Sequence, residues 1–256
     1  MNNVEISIIM LTYNRIKYLP AAITGVLKQS FTNWELIIID SQSSDGTGNL
    51  VKNYCRQDDR VKFVLEDKNF NISQCRNLGL NLAQGKYIAV LDSDDIWEDS
   101  DKLKKQIEFL KNHADCVLLG GMAMVINESG EKIGQIKYKT RDEQIRNKIL
   151  FSNQFVHSAV VYKKDIAQAV SGYNFVGVGE DYDLILKIGL KGKFFNLPEE
   201  LISYRRHSAG ATWENRTKSA RDHLSIIQKY KELYPHYYLA LAKAYLRIVL
   251  TLLRLN

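Results

Sequence analysis

At 256 residues, with 45% hydrophobic side chains and only 15 Gly and 3 Pro, the chain can bury a substantial core as one large domain or one domain with an appendage. Cys55, Cys75 and Cys116 are odd in number and lack metal-ligand spacing, which argues against a disulfide framework. The net charge of +6 is uneven: from Leu201 onward ten Lys/Arg face three Asp/Glu (+7), whereas the first two hundred residues carry 25 against 26 (−1), which argues against a nucleic-acid-binding body.

The start, MNNVEISIIM, enters a strand-like segment with no basic n-region and no cleavage site, so a cytoplasmic protein is expected. Ile6 to Thr12 predicts a first strand, followed by Tyr13, Asn14 and Arg15. Helical spacing of Leu19, Ile23, Val26 and Leu27 comes next. Trp34 to Ile39 predicts a second buried strand ending in Asp40, then a turn-rich stretch and a helix from about Asn49 to Arg56. Val61 to Leu65 makes a third strand. A helix from Ser73 to Ala83 carries Arg76 and Asn77 in its first turn, and Gly85 stops it. Tyr87 to Leu91 runs apolar without alternation, as a strand buried on both faces does, and stops abruptly in Asp92, Ser93, Asp94 and Asp95. Leu103 to Leu110 predicts a helix and Cys116 to Ile126 another strand; FVHSAVVY, around His157, is a further apolar strand.

Strands alternating with helices of roughly ten residues predict βαβ units and a mostly parallel sheet, with ligands bound beyond the strand C-termini. Thr12, Asp40 and Asp92 all fall at that edge. On an extended chain residues i and i+2 point the same way, so Asp92 and Asp94 can converge on one object. A hard divalent cation that also binds phosphate oxygens would relieve their mutual repulsion. The competing reading is a solvated acidic turn that caps the next helix, a role that stays open for Asp95. No G-x-G-x-x-G or P-loop follows a strand.

Four ordered segments carry a resemblance: IIMLTYNR (8–15), IIIDSQSSDGT (37–47), SQCRNLGLNLAQGKYIAVLDSDD (73–95) and GEDYDLILKIGLKG (179–192). Together they resemble the inverting family 2 glycosyltransferases of bacterial cell-surface glycan synthesis. The resemblance implies a GT-A fold: α/β, Rossmann-like, a mostly parallel central sheet flanked by helices. It implies a catalytic domain over 1–212, with a C-terminal helical extension over 213–256. It also implies transfer of a sugar, with inversion, from a nucleotide-diphosphate donor, UDP being favoured, to a glycan or glycolipid hydroxyl, with Mn²⁺ or Mg²⁺. Asp92 and Asp94 would hold the metal, with His207 as its third ligand or as a contact to the diphosphate. Thr12, Tyr13, Asn14, Arg15, Asp40, Arg76 and Ser93 would line the donor site, Tyr13 and Asp40 toward the base and ribose and Arg76 toward the diphosphate. Relatives commonly carry a second acid after Asp40; Ser41 stands there in this chain.

An inverting transfer needs a base for the acceptor hydroxyl, and Glu180-Asp181, at the start of a helix from Tyr182 to Lys191, is the candidate. Asp181 is the expected base, with Glu180 orienting it or meeting the acceptor, although a carboxylate there could also cap that helix. Ser208 to Trp213 reads as a loop closing over the donor.

The tail, YYLALAKAYLRIVLTLLRL over 237–255, is apolar except for Lys243, Arg247 and Arg254, which fall within a stripe roughly 40° wide at ~100° per residue. Two roles fit it: an in-plane helix on the inner face of an anionic membrane, or packing on the catalytic body or in a homodimer. Two other functions share the pattern. A sugar-1-phosphate nucleotidyltransferase would need a Gly-rich basic loop after the first strand, absent here, and a non-catalytic nucleotide-sugar-binding protein would not need Glu180-Asp181.

Overall fold

The computed structural model describes residues 4–66, 70–207 and 216–253. The strands are β1 (Ile6–Thr12), β2 (Trp34–Asp40), β3 (Val61–Leu65), β4 (Tyr87–Val90), β5 (Cys116–Ile126), β6 (Lys132–Ile136), β7 (Val161–Lys163) and β8 (Lys193–Arg205). The helices are α1 (Leu19–Leu27), α2 (Thr47–Gln57), α3 (Ile72–Leu82), α4 (Lys102–Asn112), α5 (Asp142–Ile149), α6 (Lys164–Ala169), α7 (Glu180–Gly189), α8 (Arg216–Gln228) and α9 (Tyr237–Leu252).

One sheet runs β3-β2-β1-β4-β7-β5-β6, and β8 pairs with β5. β3, β2, β1 and β4 are mutually parallel, as the βαβ reading expects. Beyond β4 the sheet changes sense, because β7 runs antiparallel to both β4 and β5. That reversal corrects the reading of FVHSAVVY as a single strand: His157–Ala159 is a 3₁₀ turn, and only Val161–Lys163 pairs. The Val160 N–H closes the turn on the His157 carbonyl at 3.2 Å and Ser158 Oγ is engaged by Asp92 and Asp95, so the chain turns before Val161 and pairs only from there.

The unalternating strands have two cores to serve. Ile9, Ile37, Ile39, Ile88 and Val90 face one cluster, under α3, α7, α8 and α9. Ile6, Ile8, Met10, Leu36, Ile38 and Ala89 face the other, under α1, α2 and α4. Successive side chains of a strand point to opposite faces, so a sheet covered on both sides needs apolar residues at every position.

Register then aligns the strand ends. Thr12 pairs with Asp40, and Ile9 with Val90, so Thr12, Asp40 and the stretch after β4 open on one edge of the sheet. Gly25 lets α1 approach this stretch, since a Cβ there would lie 2.8 Å from the Trp97 carbonyl oxygen. Gly179, at φ +105°, makes the left-handed turn from which α7 starts.

The tail packs on α7: Tyr230 donates to the Asp183 carbonyl at 2.9 Å and Tyr234 to that of Leu186 at 2.6 Å. The pattern of α9 is inverted relative to an ordinary packed helix. It buries Tyr237, Ala240 and Ala244 and exposes Tyr238, Leu239, Tyr245, Leu246, Val249 and Leu252. Among the described residues no helix is long and apolar enough to cross a membrane. The expected loop at 208–213 and Arg254 lie outside the described residues.

Candidate active site

The crevice is built from the end of β4. Asp92 donates its backbone N–H to Ser158 Oγ at 3.1 Å, and its carboxylate accepts from Arg76 Nη2 at 3.2 Å. Arg76 Nε reaches Glu180 at 3.1 Å, so one guanidinium joins the β4 edge to the first turn of α7. Arg76 is only 5% exposed. The sequence places it among donor contacts; in the fold it is an internal bridge, and its Nη1 is buried without a hydrogen-bond partner. Burial alone would lower the Arg76 pKa, and the charges of Asp92 and Glu180 outweigh this and raise it. Burial likewise pushes the Asp92 carboxyl up, and Arg76 overrides it, holding Asp92 well below the usual carboxylate range. Glu180 is raised, first by its own burial and then by Asp181, against the pull of Arg76. His157 Nδ1 stands 3.7 Å from Asp92, a pocket-edge position.

Asp94 lies on the other arm of the turn. His207, just past β8, meets its Oδ2 through Nε2 at 2.8 Å, and Arg15 Nε approaches to 3.8 Å. The Tyr18 ring stacks on His207 with centroids 5.4 Å apart. Ser93 is buried between the two acids in sequence. Asp95 does not cap α4, which begins only at Lys102 and has Asp101 at its N-cap. Instead it is buried, accepting from Ser158 Oγ at 2.5 Å and from the Arg205 N–H at 2.8 Å. The Ile96–Ser203 bridge keeps the chain extended past Asp95, which is why no helix starts there. Ser158 thus holds both Asp92 and Asp95, a role that nothing in the sequence around it signals.

The residues at the ends of β1 and β2 divide by exposure. Tyr13 is 57% exposed, so its ring is not part of the core. Asn14, at φ +50°, donates its N–H to Ser43 Oγ at 2.8 Å and accepts the Ser44 N–H at 2.9 Å. Arg15 donates its N–H to Thr47 Oγ1 at 3.2 Å. Asp40 is buried and closes its own turn, accepting from Ser43 N–H at 3.1 Å and Ser43 Oγ at 2.5 Å. Thr12 Oγ1 is buried without a hydrogen-bond partner at the same edge.

At the first turn of α7, Asp181 is less buried than Glu180 and accepts from Asn153 Nδ2 at 3.3 Å. Asn153 lies in the 127–179 segment from which acceptor recognition is expected, but no sequence pattern names the residue itself, because it enters the site only through tertiary packing.

A divalent cation is implied by the acidic turn. Among the described residues no three His, Cys, Asp or Glu side chains form a metal-holding cluster, and one Asp92 oxygen is taken by Arg76. Asp94 and His207 do present a carboxylate oxygen and an imidazole nitrogen together. A cation serving a diphosphate takes one or two protein donors and completes its shell with phosphate oxygens and water, and Mn²⁺ accepts nitrogen beside oxygen. The pair fits such an ion.

The model of Glycosyl transferase family 2 matches residues 7–169. The O-antigen biosynthesis glycosyltransferase WbnJ of Escherichia coli is 33% identical over 231 residues, covering 86% of this chain and 89% of its own. The UDP-Glc:alpha-D-GlcNAc-diphosphoundecaprenol beta-1,3-glucosyltransferase WfgD, also of Escherichia coli, is 36% identical over 129 residues, half of each chain. Among solved structures, mannosyltransferase PcManGT of Pyrobaculum calidifontis, in complex with GDP-Man and Mn²⁺, superposes with a TM-score of 0.70 at 16% identity, covering 95% of this chain and 73% of its own. S. aureus TarS 1-349 in complex with UDP-GlcNAc gives 0.69 at 20% identity, covering 95% and 72%.

Proposed function

This chain belongs to glycosyl transferase family 2 and is a glycosyltransferase of GT-A fold, and from that premise we propose that it is an inverting, metal-dependent enzyme. It moves a sugar from a nucleotide-diphosphate donor, with UDP favoured, to a hydroxyl of a glycan or glycolipid acceptor in surface polysaccharide synthesis. The observation that carries this reading is the Arg76 bridge, which holds a donor-side acid, Asp92, and an acceptor-side acid pair, Glu180-Asp181, across one crevice.

Each end has its task. Asp181 accepts the proton of the acceptor hydroxyl as that oxygen attacks the anomeric carbon, while the bond from sugar to diphosphate breaks on the opposite face. Asn153 orients Asp181 by donating to one oxygen, which leaves the other for the proton. Glu180, engaged by Arg76, anchors the turn that presents Asp181. A divalent cation held by Asp94 and His207, with Asp92 beside them, would supply positive charge to the departing diphosphate as a Lewis acid. Tyr13 offers an open ring face to the nucleotide base, and Arg15 a cation beside Asp94. Names of relatives support the substrate classes: WbnJ is an O-antigen enzyme and WfgD carries a diphosphate-lipid acceptor in its name.

We place the boundary of the catalytic unit at 212, with 213–256 as an extension, and the protein at the inner face of the plasma membrane. The outward apolar face of α9, with Lys243 and Arg247 beside it, supports contact with an anionic leaflet. The test is donor hydrolysis without acceptor, across a panel of nucleotide sugars, with Mn²⁺, Mg²⁺ or EDTA, followed by NMR assignment of the anomeric product. Hydrolysis indifferent to EDTA defeats metal dependence, and a product that retains configuration defeats inversion.

A further inference from the structure

Beside Asn153 lies a cleft of about 490 Å³, lined by Lys139, Lys148, Phe151, Ser152, Gln154 and Lys243. Its three lysines come from three places: the loop after β6, the last turn of α5 and the middle of α9. Lys148 and Lys243 bring Nζ to 5.9 and 5.7 Å from the Phe151 ring centroid. No carboxylate lines the cleft, and none of the three makes an ion pair among the described residues. The negative end of the α5 dipole accounts for a cation at Lys148. It does not account for Lys139 or Lys243, which reach the same cleft separately.

Three unpaired ammonium groups around one cleft repel, and an anion of high charge density relieves them. Lysine is a compact point charge suited to phosphate. Two neighbours narrow the class of anion. Ser152 and Gln154 flank Asn153, the residue that holds Asp181, so the cleft adjoins the acceptor side of the crevice. Lys243 lies beside the outward apolar face of α9, where Leu239, Leu246 and Leu253 are each more than half exposed. A phosphate seated among the lysines would leave a hydrocarbon chain free to run along that face.

We propose that this cleft binds the phosphate or diphosphate of a lipid-linked acceptor, with the lipid against α9 and the sugar directed to Asp181. The proposal rests on the transferase reading above.

The probe is dodecyl diphosphate below its micellar concentration, titrated calorimetrically into the full chain. Saturable binding is expected, weakened at least tenfold in Lys139→Gln/Lys148→Gln/Lys243→Gln and restored in the corresponding triple Lys→Arg variant. Equal melting temperatures show that both variants are folded, and single Lys→Gln variants, each weakening binding part of the way, stand in if the triple is not. Unchanged affinity in the Gln variants overturns the proposal. Inorganic diphosphate binding as tightly as the probe overturns the lipid-linked source, and so does a site that answers only to phosphatidylglycerol vesicles. Nucleotide-sugar hydrolysis by the wild type is read separately. Hydrolysis with probe binding indifferent to the lysines sinks the cleft alone; absence of hydrolysis with every donor sinks the transferase reading and the acceptor site with it.

Discussion

Glu180 accepts a hydrogen bond from Arg76 Nε at 3.1 Å, and the same guanidinium reaches Asp92 at 3.2 Å. The two acids belong to different ends of the crevice, so their spacing depends on one buried cation.

Replacing Arg76 with Lys should break that spacing, because a single ammonium cannot reproduce two directed contacts from a planar fork. Replacing it with Gln leaves acids uncompensated at a buried site and should cost about 3–5 kcal/mol of stability. Urea unfolding would give the loss for each variant, and sugar transfer should fall with it. An Arg76→Gln midpoint equal to that of the wild type would show that the bridge contributes nothing.

Asp181→Asn should reduce turnover by about 10²- to 10⁴-fold, the usual worth of a positioned base. Donor binding should change little, because the proposed base role, with Asn153 as its orienting partner, involves the acceptor hydroxyl rather than the donor. Steady-state kinetics with donor and acceptor varied separately will separate the two effects. Near-normal kcat would remove Asp181 from the base role.

Asp94→Asn and His207→Ala each remove one of two donors that already sit 2.8 Å apart. Outer-shell changes alone commonly cost metal sites about 10- to 100-fold in affinity, and loss of a ligand should cost at least as much. Mn²⁺ titration followed by electron paramagnetic resonance reads this without turnover. Affinities within twofold of wild type would take both residues out of the metal site.

His223 sets a pH dependence of stability. It stacks on Tyr182 with centroids 5.3 Å apart, and burial, followed by the charges of Arg247 and Lys243, lowers its imidazole to about 4 from an ordinary 6.5. Above pH 6.5 both folded and unfolded states are neutral there. As pH falls from 6.5 toward 4, the unfolded chain binds a proton that the folded chain refuses, so stability drops and then levels off, by on the order of 3 kcal/mol in total. His223→Phe should flatten that part of the profile in urea midpoints taken from pH 7.5 to 4.5. Parallel profiles for the two proteins would exclude the effect.

The sequence by itself determined the parallel half of the sheet and the edge where the site forms. Unalternating runs such as WELIII and YIAV have nowhere to go but between two covering layers, and the polar residues that stop them must emerge at the strand ends. The same reasoning carried Thr12, Asp40 and Asp92 to one edge, since each stands where a strand ends, whereas Asp181 was named by the family resemblance and the need for a base. Only the tertiary structure decided their partners. Arg76 in the first turns of α3 reads as exposed until α7 is packed against it, Asp95 reads as a cap until β8 claims its carboxylate, and Asn153 and Ser158 carry no local pattern at all. The outward face of α9 was equally hidden, because periodicity shows that a helix has an apolar side but not which side meets the protein. Here the small side chains of Ala240 and Ala244 are turned in and the leucines out. Propensity and periodicity act along the chain, whereas hydrogen-bond pairing and burial depend on which distant segments arrive at the same place.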